Sequence, residues 1–141
     1  MSKYVVDASV AIKWYVPEIH SVDADRLLSG DTELLVPDLL WSEIGNILWK
    51  RILRADMTAE KSRTIIAAIT SLPLRVMPAA DLMEGALSVA VTTKRSFYDS
   101  LYLYLAVSTD CQMVTADLKL FTALKNSPFA QHILWVEDMP K

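Results

Sequence analysis

Four acids in this chain stand where a carboxylate needs a reason: Asp7, Glu43, Asp99 and Asp117. Asp7 ends the apolar run YVVD and Asp117 ends CQMVTAD, each just before a helical pattern begins. Glu43 falls inside an apolar helical stripe, with Leu39, Leu40, Ile44 and Ile47 around it. A lone charge facing a core is costly without a partner or a metal. Asp99 opens a segment otherwise built from Phe97, Tyr98, Leu101, Tyr102, Leu103, Tyr104 and Leu105, where the positive end of the helix dipole favours a carboxylate. Each acid also has a structural reading. Asp7 and Asp117 can cap the helices they precede, Ser96 and Asp99 have the spacing of a capping box, and Glu43 can sit at a rim. Three or four carboxylates converging on one point repel one another unless a cation neutralises them. An oxygen-only ligand set suits Mg²⁺ or Mn²⁺. Such ions activate water and stabilise charge at phosphorus, which makes a phosphodiester the natural substrate.

The elements that must position these acids alternate. The apolar, β-branched run at 4–7 predicts a strand, followed by a short helix over 8–16 stopped by Pro17. A polar helix is predicted over 18–29 with Gly30 as its stop, then a strand at 33–36. Helical spacing continues over 38–54, and Thr58 is placed to cap a helix reaching about residue 71. A third strand at 74–78 precedes helices over 81–93 and 96–109, the second apolar nearly all round and therefore buried. A strand at 111–117, a helix at 118–125 and a strand at 132–136 complete the pattern. This alternation predicts an α/β fold with a parallel sheet covered on both faces. Sites in such sheets form beyond the carboxyl ends of the strands, near a switch in strand order. If the first and fourth strands are central and parallel, Asp7 and Asp117 share one edge.

At 141 residues the chain has the length of one domain, 1–141. Its 52% hydrophobic content supplies a core that needs no disulfide or structural metal. One cysteine, Cys111, excludes an intrachain disulfide and a cysteine-based zinc site, and fits a cytoplasmic protein. No apolar run reaches membrane-spanning length, and Asp7 interrupts any signal-like start. The net charge of −3 is not that of a basic nucleic-acid module. Basic residues nonetheless cluster at Lys50, Arg51 and Arg54, and at Lys94 and Arg95.

The segments VVDASVAIKW, PDLLWSEIGNIL, SFYDSLYLYLA and MVTADLKL, in that order, resemble the four motifs of PIN-domain proteins, with the nearest likeness to VapC-type toxins of toxin–antitoxin pairs. The resemblance runs from Tyr4 to Val136. It implies a three-layer α/β/α sandwich around a central parallel sheet of four to five strands, and a metal-dependent endoribonuclease. It implies Asp7, Glu43, Asp99 and Asp117 as the catalytic acids, with Asp7, Asp99 and Asp117 holding one or two Mg²⁺ or Mn²⁺ ions. Ser9 and Thr115 match hydroxyl positions beside the metal, expected to bond carboxylates or water rather than attack substrate. No further acid follows Asp117 closely, so a second ion would be weakly held. Lys13, Lys94, Arg95 and Lys119 are candidates to meet RNA phosphates. The family also implies a VapB-type antitoxin partner, with Trp14, Tyr15, Trp41 and Trp49 as candidate anchors, and a homodimer.

Three other readings compete. A D-x-D phosphotransferase would need an acid where Ser9 stands. A receiver-type signalling domain would want paired acids at its first strand and would leave Glu43 unexplained. A PIN fold that binds RNA or protein without cutting is the third. A Ser/His/Asp hydrolase has no support: G-x-S-x-G is missing, and His20 and His132 lie in no motif.

Overall fold

The computed structural model describes residues 2–140. Among them lie five strands: β1 (Ser2–Val6), β2 (Thr32–Pro37), β3 (Arg75–Met77), β4 (Gln112–Thr115) and β5 (Ile133–Trp135). They form one sheet in the order β3-β2-β1-β4-β5 with every pair parallel. The register sets Val5 beside Leu35 and Met113, and Val6 beside Val114. Strand order reverses at β1: the chain first steps outward through β2 and β3, then returns to β1's other side with β4 and β5.

Seven α-helices are present among the described residues: α1 (Ala8–Ala11), α2 (Ser21–Asp25), α3 (Leu39–Leu53), α4 (Ala59–Thr70), α5 (Met83–Thr93), α6 (Phe97–Ser108) and α7 (Leu118–Leu124). Period-2 alternation divides the sheet's apolar residues into two cores. Val6, Leu34, Val36 and Val114 join Val10, Leu40, Ile44, Leu48, Ile65 and Ile69 on one face. Val5, Leu35 and Met113 join Ala86, Val89, Leu101, Leu105, Leu120 and Leu124 on the other. Burial of both faces explains why the strands read as continuous apolar runs rather than alternating ones. The result is the three-layer α/β/α architecture with a five-stranded parallel sheet.

The ends of several elements differ from expectation. The first helix closes early, as Ala8–Ala11 plus a 3₁₀ turn at Ile12–Trp14. The helix expected over 18–29 shrinks to Ser21–Asp25 followed by a 3₁₀ turn at Arg26–Leu28. Glu18 lies outside it: its carboxylate takes Lys13 Nζ at 2.9 Å and the Arg51 guanidinium, and its N–H donates to Ser21 Oγ. His20 then enters the helix in the left-handed region at φ 68°. The cap expected at Thr58 forms, its Oγ1 accepting from Lys61 N–H at 3.0 Å. α6 is buried through Ser100–Leu103, Leu105 and Ala106, and packs on β1, β2 and β4.

Candidate active site

Two of the four acids are delivered by the strand-to-helix turns on either side of the order switch. Asp7 caps α1 from the end of β1, its Oδ1 accepting from Val10 N–H at 3.1 Å. Asp117 caps α7 just past β4, its Oδ1 accepting from Leu120 N–H at 3.2 Å. Capping and site-building are therefore the same event: the chain leaves each strand through an extended N-cap that also points a carboxylate over the sheet edge.

Two hydroxyls tie these turns together. Ser9 Oγ donates to Asp7 Oδ1 at 2.5 Å and accepts from Ala116 N–H at 3.0 Å. Thr115 Oγ1 donates to Asp7 Oδ2 at 2.5 Å and accepts from Asp117 N–H at 3.1 Å. Both protons are committed to Asp7, so neither hydroxyl is arranged as a nucleophile. Asp7 is 6% exposed. Burial raises its pKa to about 6, against the lowering effect of the Ser9, Thr115 and Val10 bonds, and the Asp99 charge adds to the rise.

Asp99 sits in the first turn of α6, where Ser96 Oγ accepts its N–H at 3.0 Å, as the capping-box spacing foretells. Burial raises its pKa; Ser96 and the Arg95 charge oppose the rise and Asp117 reinforces it. Glu43, half-buried on α3, has its pKa raised by burial and by Asp99, with the Tyr102 hydrogen bond opposing. Asp99 is thus the common neighbour: its charge is felt by Asp7 and Glu43, and it feels Asp117. Tyr102 donates its phenolic proton to Glu43 Oε1 at 2.6 Å. Burial pushes the phenol's pKa well above its usual value, and Glu43, Asp7 and Asp99 push it further, so it remains a donor.

The four acids therefore share one electrostatic neighbourhood at the carboxyl edge of the sheet. No three of them bring an oxygen each within 4.8 Å of one another; among the described residues only His20, Asp23 and Glu137 form such a set. Mutual repulsion at the edge favours this spread, and a divalent cation is what would draw the oxygens in. The donor chemistry fits a hard cation: every group is a carboxylate, and Oδ2 of Asp7 retains a lone pair after accepting from Thr115. The His20 set shares no residue with these four acids. It joins α2 to the 3₁₀ turn at Val136–Asp138, with His20 Nδ1 3.0 Å from Glu137 Oε1, and Arg26 already pairs with Asp23 at 2.8 Å.

The family model of the PIN domain matches residues 4–125. The chain belongs to the PIN-domain family. Ribonuclease VapC3 of Pyrobaculum aerophilum is 31% identical over 120 residues, covering 84% of this chain and 92% of the relative. Exonuclease VapC9 of the same organism is 32% identical over 127 residues, covering 89% and 88%. Among solved structures, VapBC2 from Rickettsia felis, crystallised with a DNA fragment of its promoter, superimposes with a TM-score of 0.65 at 11% identity, over 94% of this PIN domain and 98% of that chain. At that identity the match concerns the fold alone.

The basic residues of this PIN domain separate by environment. Lys94 ends α5 in the left-handed region at φ 60° and is exposed, as is Lys119 on α7. Arg95 is half-buried, with its charge felt by Asp99 and its Nε lacking a partner. Lys13 is 9% exposed and paired with Glu18. The Glu18 carboxyl would rise on burial, but the hydrogen bonds and charges of Lys13 and Arg51 hold it below its usual range. Sequence reasoning missed both this Lys13–Glu18–Arg51 junction and the Tyr102–Glu43 bond. The second had a faint signal, since Tyr102 follows Asp99 at i+3 and so shares its helix face.

Proposed function

We propose that this PIN domain is a metal-dependent endoribonuclease, the toxin of a toxin–antitoxin pair, acting at the edge where Asp7, Glu43, Asp99 and Asp117 gather. What carries the reading is the match to the PIN-domain model and to Ribonuclease VapC3, together with Asp7 and Asp117 capping the helices that leave β1 and β4 and Asp99 in the first turn of α6. Asp7, Asp99 and Asp117 would hold Mg²⁺ or Mn²⁺, one or two ions, which when bound supply charge stabilisation at the phosphorus and an activated water. Asp7 forms the fixed wall, immobilised by Ser9, Thr115 and the α1 amide. Asp117, exposed at the mouth, meets the substrate side. Glu43 would reach the ion through a bound water and orient the nucleophile at the edge. Lys94, Arg95 and Lys119 flank it as phosphate contacts; Lys13 joins them only by leaving Glu18.

The partners follow from the same reading. A VapB-type antitoxin would close the acidic edge, and the likeness to VapC proteins supports it. Trp49, 54% exposed on α3, is the readiest of the four aromatic anchors, whereas Trp14 is engaged through Nε1 with Ala24 O at 2.9 Å. A homodimer is supported by α5, whose Met83, Leu87 and Val91 form an i, i+4, i+8 stripe that is 54, 58 and 61% exposed. Asp81 and Glu84 stand at one end of this stripe and Lys94 at the other. Antiparallel self-pairing about Leu87 sets each acid end against a partner's basic end, the self-complementarity a two-fold requires. Such a protein would work in the cytoplasm.

The test is cleavage of labelled linear and circular RNA with Mg²⁺, Mn²⁺ or EDTA. The parent is expected to open circles in a metal-dependent way. Asp99→Asn is expected to lose more than the roughly 100-fold that outer-shell changes cost at metal sites. Degradation of linear RNA alone would make it an exonuclease, and no cleavage with either metal would leave a non-catalytic PIN fold.

A further inference from the structure

We propose that Tyr102 is a positioning residue of this site, fixing the Glu43 carboxylate toward the other three acids through its phenolic hydrogen bond; this rests on the nuclease reading above. Glu43 and Tyr102 belong to opposite layers. α3 contributes Leu40, Ile44 and Leu48 to one core, and Tyr102 is part of the other. The 2.6 Å bond from Tyr102 to Glu43 Oε1 spans these layers and is the one side-chain hydrogen bond between α3 and α6 among the described residues. Tyr102 is 2% exposed, so its ring cannot swing away, and α6 packs on β1, β2 and β4. Asp99 lies one turn earlier on the same helix. One rigid element therefore carries both a site acid and the clamp on the acid from the opposite layer.

A buried phenol needs an acceptor, and a backbone carbonyl would serve it as well. The acceptor here is instead the end of a long, rotamer-rich side chain inside a cluster of like charges. Repulsion from Asp99 would drive an untethered Glu43 outward. With Oε1 held, Oε2 is the oxygen left for a cation or a water. Outer-shell partners of this kind typically change metal affinity or activity by roughly 10–100-fold.

The experiment is Tyr102→Phe, which keeps the ring and its packing and removes only the hydroxyl. Mn²⁺ affinity of the apo protein, read by calorimetry, is expected to fall about 10-fold. On saturating Mg²⁺, kcat for RNA is expected to fall roughly 10–100-fold with KM within about twofold. In a Glu43→Ala background, which removes the acceptor, the same change should have almost no further effect, since the tyrosine acts through Glu43. Glu43→Asp, which withdraws the carboxylate from the phenol by one methylene, should weaken Mn²⁺ binding with Tyr102 intact, and it serves if Tyr102→Phe does not fold. Parental Mn²⁺ affinity in Tyr102→Phe, or losses that simply add to those of Glu43→Ala, would overturn the proposal. A parent that binds Mn²⁺ but cuts no RNA would sink the nuclease reading instead, and the Mn²⁺ titrations would still decide the tyrosine's part.

Discussion

Replacing Asp7 by asparagine should make the protein inactive and more stable at once. Asp7 is 6% exposed, and its carboxyl titrates at about 6 in the fold against 3.8 for an ordinary aspartate. The folded state therefore binds the proton more tightly than the unfolded state does. Between these two values stability falls as pH rises, and above about 6 the full penalty of the buried charge is present. The gap between 3.8 and about 6 corresponds to about 3 kcal/mol at neutral pH, at 1.36 kcal/mol per pH unit. Asparagine carries no charge and keeps a carbonyl for the α1 amide and Ser9, but its NH2 replaces the oxygen that accepts from Thr115 Oγ1, which costs about 1 kcal/mol. In EDTA at pH 7.5, Asp7→Asn should therefore gain about 2 kcal/mol net and raise Tm by roughly 4–8 °C, taking about 2–4 °C per kcal/mol for a domain of this size. At pH 4 the difference should nearly vanish, because Asp7 is then protonated in the fold. Added Mg²⁺ should raise the parent's Tm and leave the variant's unchanged. The assay is a thermal melt by circular dichroism across pH 4–8. A variant that melts at or below the parent at pH 7.5, with the same pH slope, would refute the claim that burial dominates Asp7.

Two further substitutions probe the surroundings. Gly85→Ala, ordinarily stabilising inside a helix, should here lower Tm by several degrees in the same melt, because a Cβ would overlap the Tyr104 ring; overpacking of this kind costs roughly 1–3 kcal/mol. Leu87→Asp should convert the sedimenting species from dimer to monomer at micromolar concentration while leaving the melt within a degree or two. A parent that is monomeric at high concentration would remove the α5 interface.

Much of this arrangement was legible because local and global signals coincide at the strand ends. An acid that closes an apolar run and opens a helix marks both a cap and a sheet edge, and Asp7 and Asp117 do both. Glu43 stood out because its neighbours at i−4, i−3, i+1 and i+4 are apolar, and Asp99 because its helix is apolar nearly all round. What sequence could not give were pairings between distant residues. Lys13 read as a candidate phosphate contact, yet it pairs with Glu18, which is shared with Arg51, a residue 33 positions from Glu18. Tyr102 read as one more core aromatic, since nothing in its own helix announces a carboxylate arriving from α3, 59 residues earlier. The electrostatic neighbourhood of four acids was inferable from topology, but which acid links the others was not.

The two hydroxyl ties between β1 and β4 bear on when the protein becomes active. Ser9 reaches Ala116 across 107 positions, and Thr115 reaches Asp7 across 108. A loop of that length closes at an entropic cost that only the paired sheet repays, and contacts so far apart in sequence form slowly. During synthesis Asp7 emerges first and waits, unclamped, until β4 has been made and has docked beside β1. A nascent chain that has not yet made β4 therefore carries the residues of α1–α6, Asp99 among them, but no assembled carboxylate edge.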